Sequence, residues 1–353
     1  MNIQHLPFKQ RRADKTADSI YFPAFDYLRI TLALGVFVSH SHMATDIGNA
    51  CVQVFFALSG FLIGGVLLST TPGDLPRFYF NRSTRIWIPY FIAVLLLLTA
   101  TALKQNLLDA NLWEFVFYKI TFVYNWFGPP LLAQSMSHMP LSGTGNHFWS
   151  ICVEEQFYLL APFVLTYIPY WTAIATLLTL VGLNFVAPHD FAAIALGVLL
   201  AMSRERYGSW YLKQPGLALV TGTGLMATAA MILGLLSYGR IFPVIAVCIV
   251  AILSFEGRSL EFGKVVGGMS FSFYLNHWIG LFVANGLQHI TRMPVAWTLG
   301  LCTALMISLI HYYAVDRRIG QYRSALFSRA RGVFCCVLGF LLVALGTLVG
   351  ALS

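Results

Sequence analysis

An arginine and a histidine share one apolar stretch, FDYLRITLALGVFVSHSHM over residues 25–43, with ten residues between Arg29 and His40. On a helix, eleven steps of about 100° each bring both side chains back to nearly one face. At about 1.5 Å per residue they stand roughly 16 Å apart along the axis. A guanidinium near one end can hold an anion, and a titratable imidazole near the other can move a proton. Such groups are costly inside a bilayer, so an intramembrane pair of this kind points to a functional site. The competing use is a pair satisfied by neighbouring helices.

A second group reads His147-Phe-Trp149-Ser150-Ile-Cys152-Val-Glu154-Glu155-Gln156-Phe-Tyr158. Glu154 and Glu155 point about 100° apart on a helix, so at most one faces the same interior as His40. A carboxylate that meets an imidazole raises its basicity and fixes its tautomer, and such a pair can take a proton from a hydroxyl. Acidic residues in early turns also complement the helix dipole.

A third group places Arg77, Arg82 and Arg85 at i, i+5 and i+8. Guanidinium forks bind phosphate bidentately, and three of them suit a ligand with several phosphates, such as coenzyme A. Anchoring to anionic lipid headgroups is the competing use. Ser59, in a segment with small residues at 57, 60, 64 and 65, reads as a packing or hydrogen-bonding residue more readily than as a nucleophile. Ser270, Ser272, Tyr274, Asn276 and His277 either line an acyl-donor path or bond between helices. His5, His138, His189, His289 and His311 read as tail, loop or interface residues.

The elements that must position these groups are membrane helices. The chain has 353 residues, 58% hydrophobic and 10% charged, with mean hydropathy +0.72. A soluble domain carries about 25% charged residues. The six cysteines form no C-x-x-C pair and no zinc-like spacing, so no metal is expected. Cys51 and Cys152 are the one conceivable outer disulfide. No glycine-rich phosphate loop and no internal repeat are visible. The first apolar run is long and lacks a small-residue cleavage site, which reads as a retained helix.

Spans are expected at about 25–44, 50–69, 85–104, 148–168, 171–187, 190–203, 216–236, 240–255, 264–288, 294–315 and 333–352. Segment 105–147 is expected as an extracytoplasmic loop with an interfacial helix near 112–127. With the N-terminus in the cytoplasm, seventeen Lys and Arg fall inside, four (Lys104, Lys119, Arg240, Arg292) fall outside and Arg29 lies within the first span. That is the asymmetry of the positive-inside rule. It also accounts for the +8 net charge, which in a soluble protein would suggest nucleic acid. No nucleic-acid partner is expected. The topology places the chain in the plasma (inner) membrane with its C-terminus outside, Arg29 near the cytoplasmic end of the first helix and His40 near its outer end.

Five pieces occur in an order that resembles acyltransferase family 3, membrane proteins that O-acylate extracytoplasmic carbohydrates. They are Arg29-x10-His40 after Phe25-Asp26-Tyr27-Leu28; Phe55 to Ile63; Arg82-Ser-Thr-Arg85-Ile-Trp-Ile-Pro89-Tyr90; Phe148 to Leu160; and Ser270 to His277. The resemblance runs from about 22 to 320. It implies an all-α polytopic integral membrane protein with a ten-helix acyltransferase-type core, to which the last span adds one C-terminal transmembrane helix. The divisions are then a basic tail (1–20), the membrane acyltransferase domain (21–322) and an extension (323–353).

The resemblance further implies acetyl-CoA or another acyl-CoA as donor. It also implies a carbohydrate acceptor such as exopolysaccharide, lipopolysaccharide or lipid-linked oligosaccharide. Catalysis would fall to His40 and Arg29, with Glu154 or Glu155 in support. Two departures stand out. Cys152 occupies the usual serine position, and Asp316-Arg317-Arg318 lacks the proline often found at the end of the tenth helix.

The expected mechanism starts with Arg77, Arg82 and Arg85 holding the coenzyme phosphates at the inner mouth, while the pantetheine arm runs up the bundle past Arg29 and Tyr274. His40, polarised by Glu154, then acts as general base or acyl carrier. The alternative is a polytopic transporter that uses Arg29, His40 and Glu154 as a substrate or proton path.

Overall fold

The computed structural model describes residues 21–41, 47–105, 107, 109–258 and 260–352. The basic tail and His42 lie outside the described residues. Among those residues every regular element is a helix. In chain order these are α1 (Pro23–His40), α2 (Ile47–Leu68), α3 (Leu75–Ala102), α4 (Ala110–Ile120), α5 (Trp149–Pro162), α6 (Tyr170–Val186), α7 (Phe191–Tyr207), α8 (Gly216–Ile232), α9 (Tyr238–Leu253), α10 (Glu261–Leu287), α11 (Met293–His311), α12 (Arg317–Leu326) and α13 (Arg329–Leu352). Among the described residues a helix occupies most of each segment expected as a span, the first ending at His40 and the one expected at 216–236 ending at Ile232. Among the described residues, five stretches are long and apolar enough to cross a membrane by length and composition: Ile47–Leu68, Pro72–Ala102, Asn146–Tyr167, Met293–Leu326 and Arg329–Leu352. The chain is an all-helical membrane protein.

Local chemistry sets the ends of the site helices. α1 starts with Pro23 in its first turn and carries Asp26 there, where a fixed φ and a negative charge both favour a helix start. It stops at Ser41, whose hydroxyl donates to the Val38 carbonyl at 2.6 Å. Within α3, Pro89 has no N–H to give the carbonyl one turn earlier.

Two contacts fix the bundle around the site. In α2, a Cβ on Gly60 would lie 2.1 Å from the Ile194 carbonyl oxygen, and one on Gly197 in α7 would lie 2.1 Å from that of Ala57. The α2 and α7 backbones therefore touch, which explains the small-residue pattern of α2. α1 and α10 run parallel. Asp26 lies against Gly263 and Gly267 at one end, and His40 meets His277 toward the other. Both were expected to cross in the same direction.

The outer segment departs from expectation. The interfacial helix near 112–127 is two pieces, α4 and a single turn at Tyr124–Phe127. Phe122 interrupts it with φ of 57°, and its carbonyl accepts a 2.8 Å hydrogen bond from the Gln156 amide. Lys119, 1% exposed, donates to the Gly145 carbonyl at 3.0 Å and sits 3.1 Å from the Tyr124 ring centroid. Burial holds its ammonium well below the usual lysine pKa. It ties α4 to the entrance of α5. Cys51 and Cys152 are free thiols, so the conceivable disulfide is absent.

Candidate active site

A cavity of about 400 Å³ lies among α1, α2, α3, α5 and α10, within the usual size of small-molecule sites. Arg29, Arg82, Arg85, Glu154 and Tyr274 all line it, and Arg323 of α12 joins them. Four guanidinium groups thus face one cavity together with the Glu154 carboxylate. Such a lining suits an anion of several charges.

Arg29 and Glu154 are aimed by neighbours. Asp26 Oδ1 stands 3.7 Å from Arg29 Nη1, one turn away on α1, and Tyr21 donates to Asp26 in turn. Arg82 keeps its buried Nε without a hydrogen-bond partner. Ser59 donates to Glu154 Oε1 at 2.5 Å, and Tyr158 donates to Glu154 Oε2 at 3.4 Å. Ser59 is therefore a hydrogen-bonding residue here. Buried acceptors without donors are costly, so these two hydroxyls keep the carboxylate tolerable inside the bundle.

Glu155 points elsewhere, as a 100° offset requires. It is 2% exposed, takes a 2.8 Å hydrogen bond from Trp87 Nε1 and does not line the cavity. Arg77 is also off the cavity. Its guanidinium lies 5.5 Å over the Phe327 ring.

His40 is exposed at the end of α1 and stands outside the cavity lining. Its ring stacks on His277 with centroids 5.4 Å apart and an interplanar angle of 17°, and it lies 6.4 Å from His147. The His147 and His277 rings are 4.4 Å apart. Both are buried, and neither Nε2 has a hydrogen-bond partner. His277 Nδ1 lies 2.7 Å from the Tyr274 carbonyl. A carbonyl only accepts, so Nδ1 carries the proton and Nε2 the lone pair. Sequence reasoning gave His147 no role of its own and left His277 between a donor path and interhelical bonding. They lie far from His40 along the chain, and only the fold brings the three rings together. Among the described residues, no group of three His, Cys, Asp or Glu is placed to hold a metal ion.

The lining of the arginine cavity does not include His40. Tyr274 and Ser150 line the cavity and are hydrogen-bonded to each other at 2.6 Å. Tyr274 also donates to the His147 carbonyl at 3.0 Å, and its ring packs edge-on against the His147 ring at 5.6 Å. Tyr274 thus touches both the arginine cavity and the histidine cluster. The carboxylate partner expected for His40 sits on the cavity side, held by Ser59, while imidazoles surround His40 itself.

Comparison with known proteins places the chain in a family. O-acetyltransferase OatA of Staphylococcus aureus (strain NCTC 8325 / PS 47) is 29% identical over 169 residues, 45% of this chain and 27% of that protein. Putative O-acetyltransferase SACOL0978 of Staphylococcus aureus (strain COL) is 29% identical over 153 residues, 41% of this chain and 25% of that protein. The chain therefore matches about a quarter of the length of these curated relatives. No solved structure matches it. The family model of the acyltransferase domain matches residues 22–313, a stretch that contains Arg29, His40, Arg82, Arg85, Glu154 and Tyr274. The chain belongs to acyltransferase family 3.

Proposed function

We propose that the protein is an O-acyltransferase. It moves an acyl group, acetyl by default, from cytoplasmic acyl-CoA to a hydroxyl of an extracytoplasmic or lipid-linked saccharide. The observation that carries this reading is the convergence of Arg29, Arg82, Arg85 and Glu154 on one cavity, with three imidazoles on the far side of Tyr274. A charged donor is held on one side, and a base waits on the other. All eleven long helices cross the bilayer in this reading, ten in the core with α13 added, from a cytoplasmic N-terminus in the inner membrane.

The arginines bind the donor phosphates, and the pantetheine arm lies along the cavity with its thioester toward Tyr274. The Tyr274 partition opens for transfer. His40 takes the proton from the saccharide hydroxyl. The oxygen attacks the thioester carbonyl, a C–O bond forms, the C–S bond breaks, and the coenzyme leaves as a thiolate that takes up a proton. A two-step route through acylated His40 balances equally. Arg29, which Asp26 orients, shields the donor's charge inside the bundle.

The test is purified full-length protein in proteoliposomes with labelled acetyl-CoA and saccharide acceptors. Coenzyme A thiol released in step with acyl-saccharide supports the reading. Movement of substrate with no thiol release would replace it with transport.

A further inference from the structure

The cavity has an arginine that comes from outside the matched family region. That region ends at residue 313, whereas Arg323 belongs to α12, within the stretch leading into the C-terminal helix α13. Even so, Arg323 lines the same cavity as Arg29, Arg82 and Arg85.

Its position is built. Arg323 Nη1 donates to the Asn81 carbonyl at 3.3 Å, one residue before Arg82 on α3. Just beyond, Phe327 packs on Phe80 with ring centroids 5.6 Å apart, and the Arg77 guanidinium covers it. Arg331 donates to the Leu326 carbonyl at 2.5 Å, which closes the turn into α13. A Cβ on Gly332 would lie 2.1 Å from the Pro76 carbonyl oxygen, so α13 begins in backbone contact with α3. On the other side, Asp316 accepts from Ser272 of α10. The segment is thus clipped to α3 and α10 with Arg323 between the clips.

Electrostatics point the same way. Among the described residues no carboxylate forms an ion pair with Arg82, Arg85 or Arg323. Gathering four guanidinium groups around one cavity whose lining holds a single carboxylate, Glu154, leaves an excess of positive charge there, which a polyanion would offset. A headgroup anchor would gain nothing from the Asn81 and Phe80 contacts, which turn Arg323 inward.

We propose that Arg323 is a donor-binding residue supplied by the C-terminal extension, and that it contacts the phosphates of the coenzyme. This rests on the acyl-CoA reading above. Arg323 takes the third place in the phosphate-binding set that the spacing of α3 assigned to Arg77, and Arg77 instead holds the clip through Phe327.

The experiment uses full-length protein with two donors, acetyl-CoA and S-acetylpantetheine, which lacks every phosphate. Arg323→Gln removes the charge but keeps a donor for the Asn81 carbonyl; Arg323→Lys keeps the charge and loses the fork. Arg323→Gln should raise KM for acetyl-CoA about tenfold, with kcat and the KM for S-acetylpantetheine close to wild type. Arg323→Lys should fall between. Coenzyme A binding, measured without turnover, should weaken by a similar factor. Equal losses with both donors, or unchanged coenzyme A binding, would overturn the assignment and leave Arg323 a packing residue. If wild-type protein neither turns over acetyl-CoA nor binds coenzyme A, the donor reading fails first and takes this inference with it.

Discussion

The His40 ring lies on the His277 ring, 5.4 Å between centroids and 17° between planes, and His277 gives its Nδ1 proton to the Tyr274 carbonyl. The exposed imidazole therefore rests on a buried one whose tautomer the backbone fixes. This resembles the way a second group usually orients a catalytic histidine, with imidazole where a carboxylate is common. His277→Phe keeps the stacking surface and removes the ring nitrogens. It should lower kcat about tenfold without changing KM for the donor, and shift the pH–rate profile. A parallel fall in folded protein, with an unchanged profile, would make His277 purely structural.

Glu154 and Glu155 should separate sharply. Glu154 faces the cavity with Ser59 and Tyr158 on its oxygens, whereas Glu155 answers Trp87. Glu154→Gln should cost at least about tenfold more in kcat/KM than Glu155→Gln, as steady-state kinetics would measure. Ser59→Ala leaves the half-buried Glu154 short of a donor and should cost about 0.5–1.5 kcal/mol of stability, read from thermal unfolding in detergent.

The arginines of α3 should act on the donor. Arg82→Ala or Arg85→Ala is expected to raise KM for acyl-CoA by about tenfold or more, with the acceptor KM little altered. Arg29→Lys keeps a charge but presents one ammonium in place of a planar fork, so it should recover only part of the donor affinity. Equal losses for donor and acceptor would instead indicate a general packing role.

Tyr274→Phe removes the hydrogen bonds to Ser150 and to the His147 carbonyl and keeps the ring. If this tyrosine partitions the two compartments, the variant should release coenzyme A by hydrolysis without matching acyl product. The ratio of thiol to acyl-saccharide, near one for the wild type, should rise severalfold.

Much of the fold was legible because membrane helices announce themselves by length, apolarity and loop charge. The Arg29–His40 spacing located a helix whose two ends carry different chemistry, and the 100° offset foretold that Glu154 and Glu155 point apart. The same arithmetic did not remove Arg77, which stands about 140° from Arg82 but only about 80° from Arg85; the Phe327 ring is what holds it off the cavity. The three-imidazole cluster was not legible, because His147 comes from the approach to α5 and His277 from α10, and packing alone joins them to α1. Arg323 was read only as one of many cytoplasmic charges. Its role depends on a turn folding back onto α3, which charge counting cannot see. Phe122 broke the expected interfacial helix because a tertiary hydrogen bond from Gln156 holds its carbonyl.

The most direct measurement compares wild-type protein with His40→Ala in proteoliposomes, scoring acyl transfer to saccharide and coenzyme A binding on the same preparations. A histidine that serves the acceptor, beside a cavity that serves the donor, predicts transfer reduced by at least about a hundredfold with coenzyme A binding intact. Transfer persisting near the wild-type rate in His40→Ala would contradict the account.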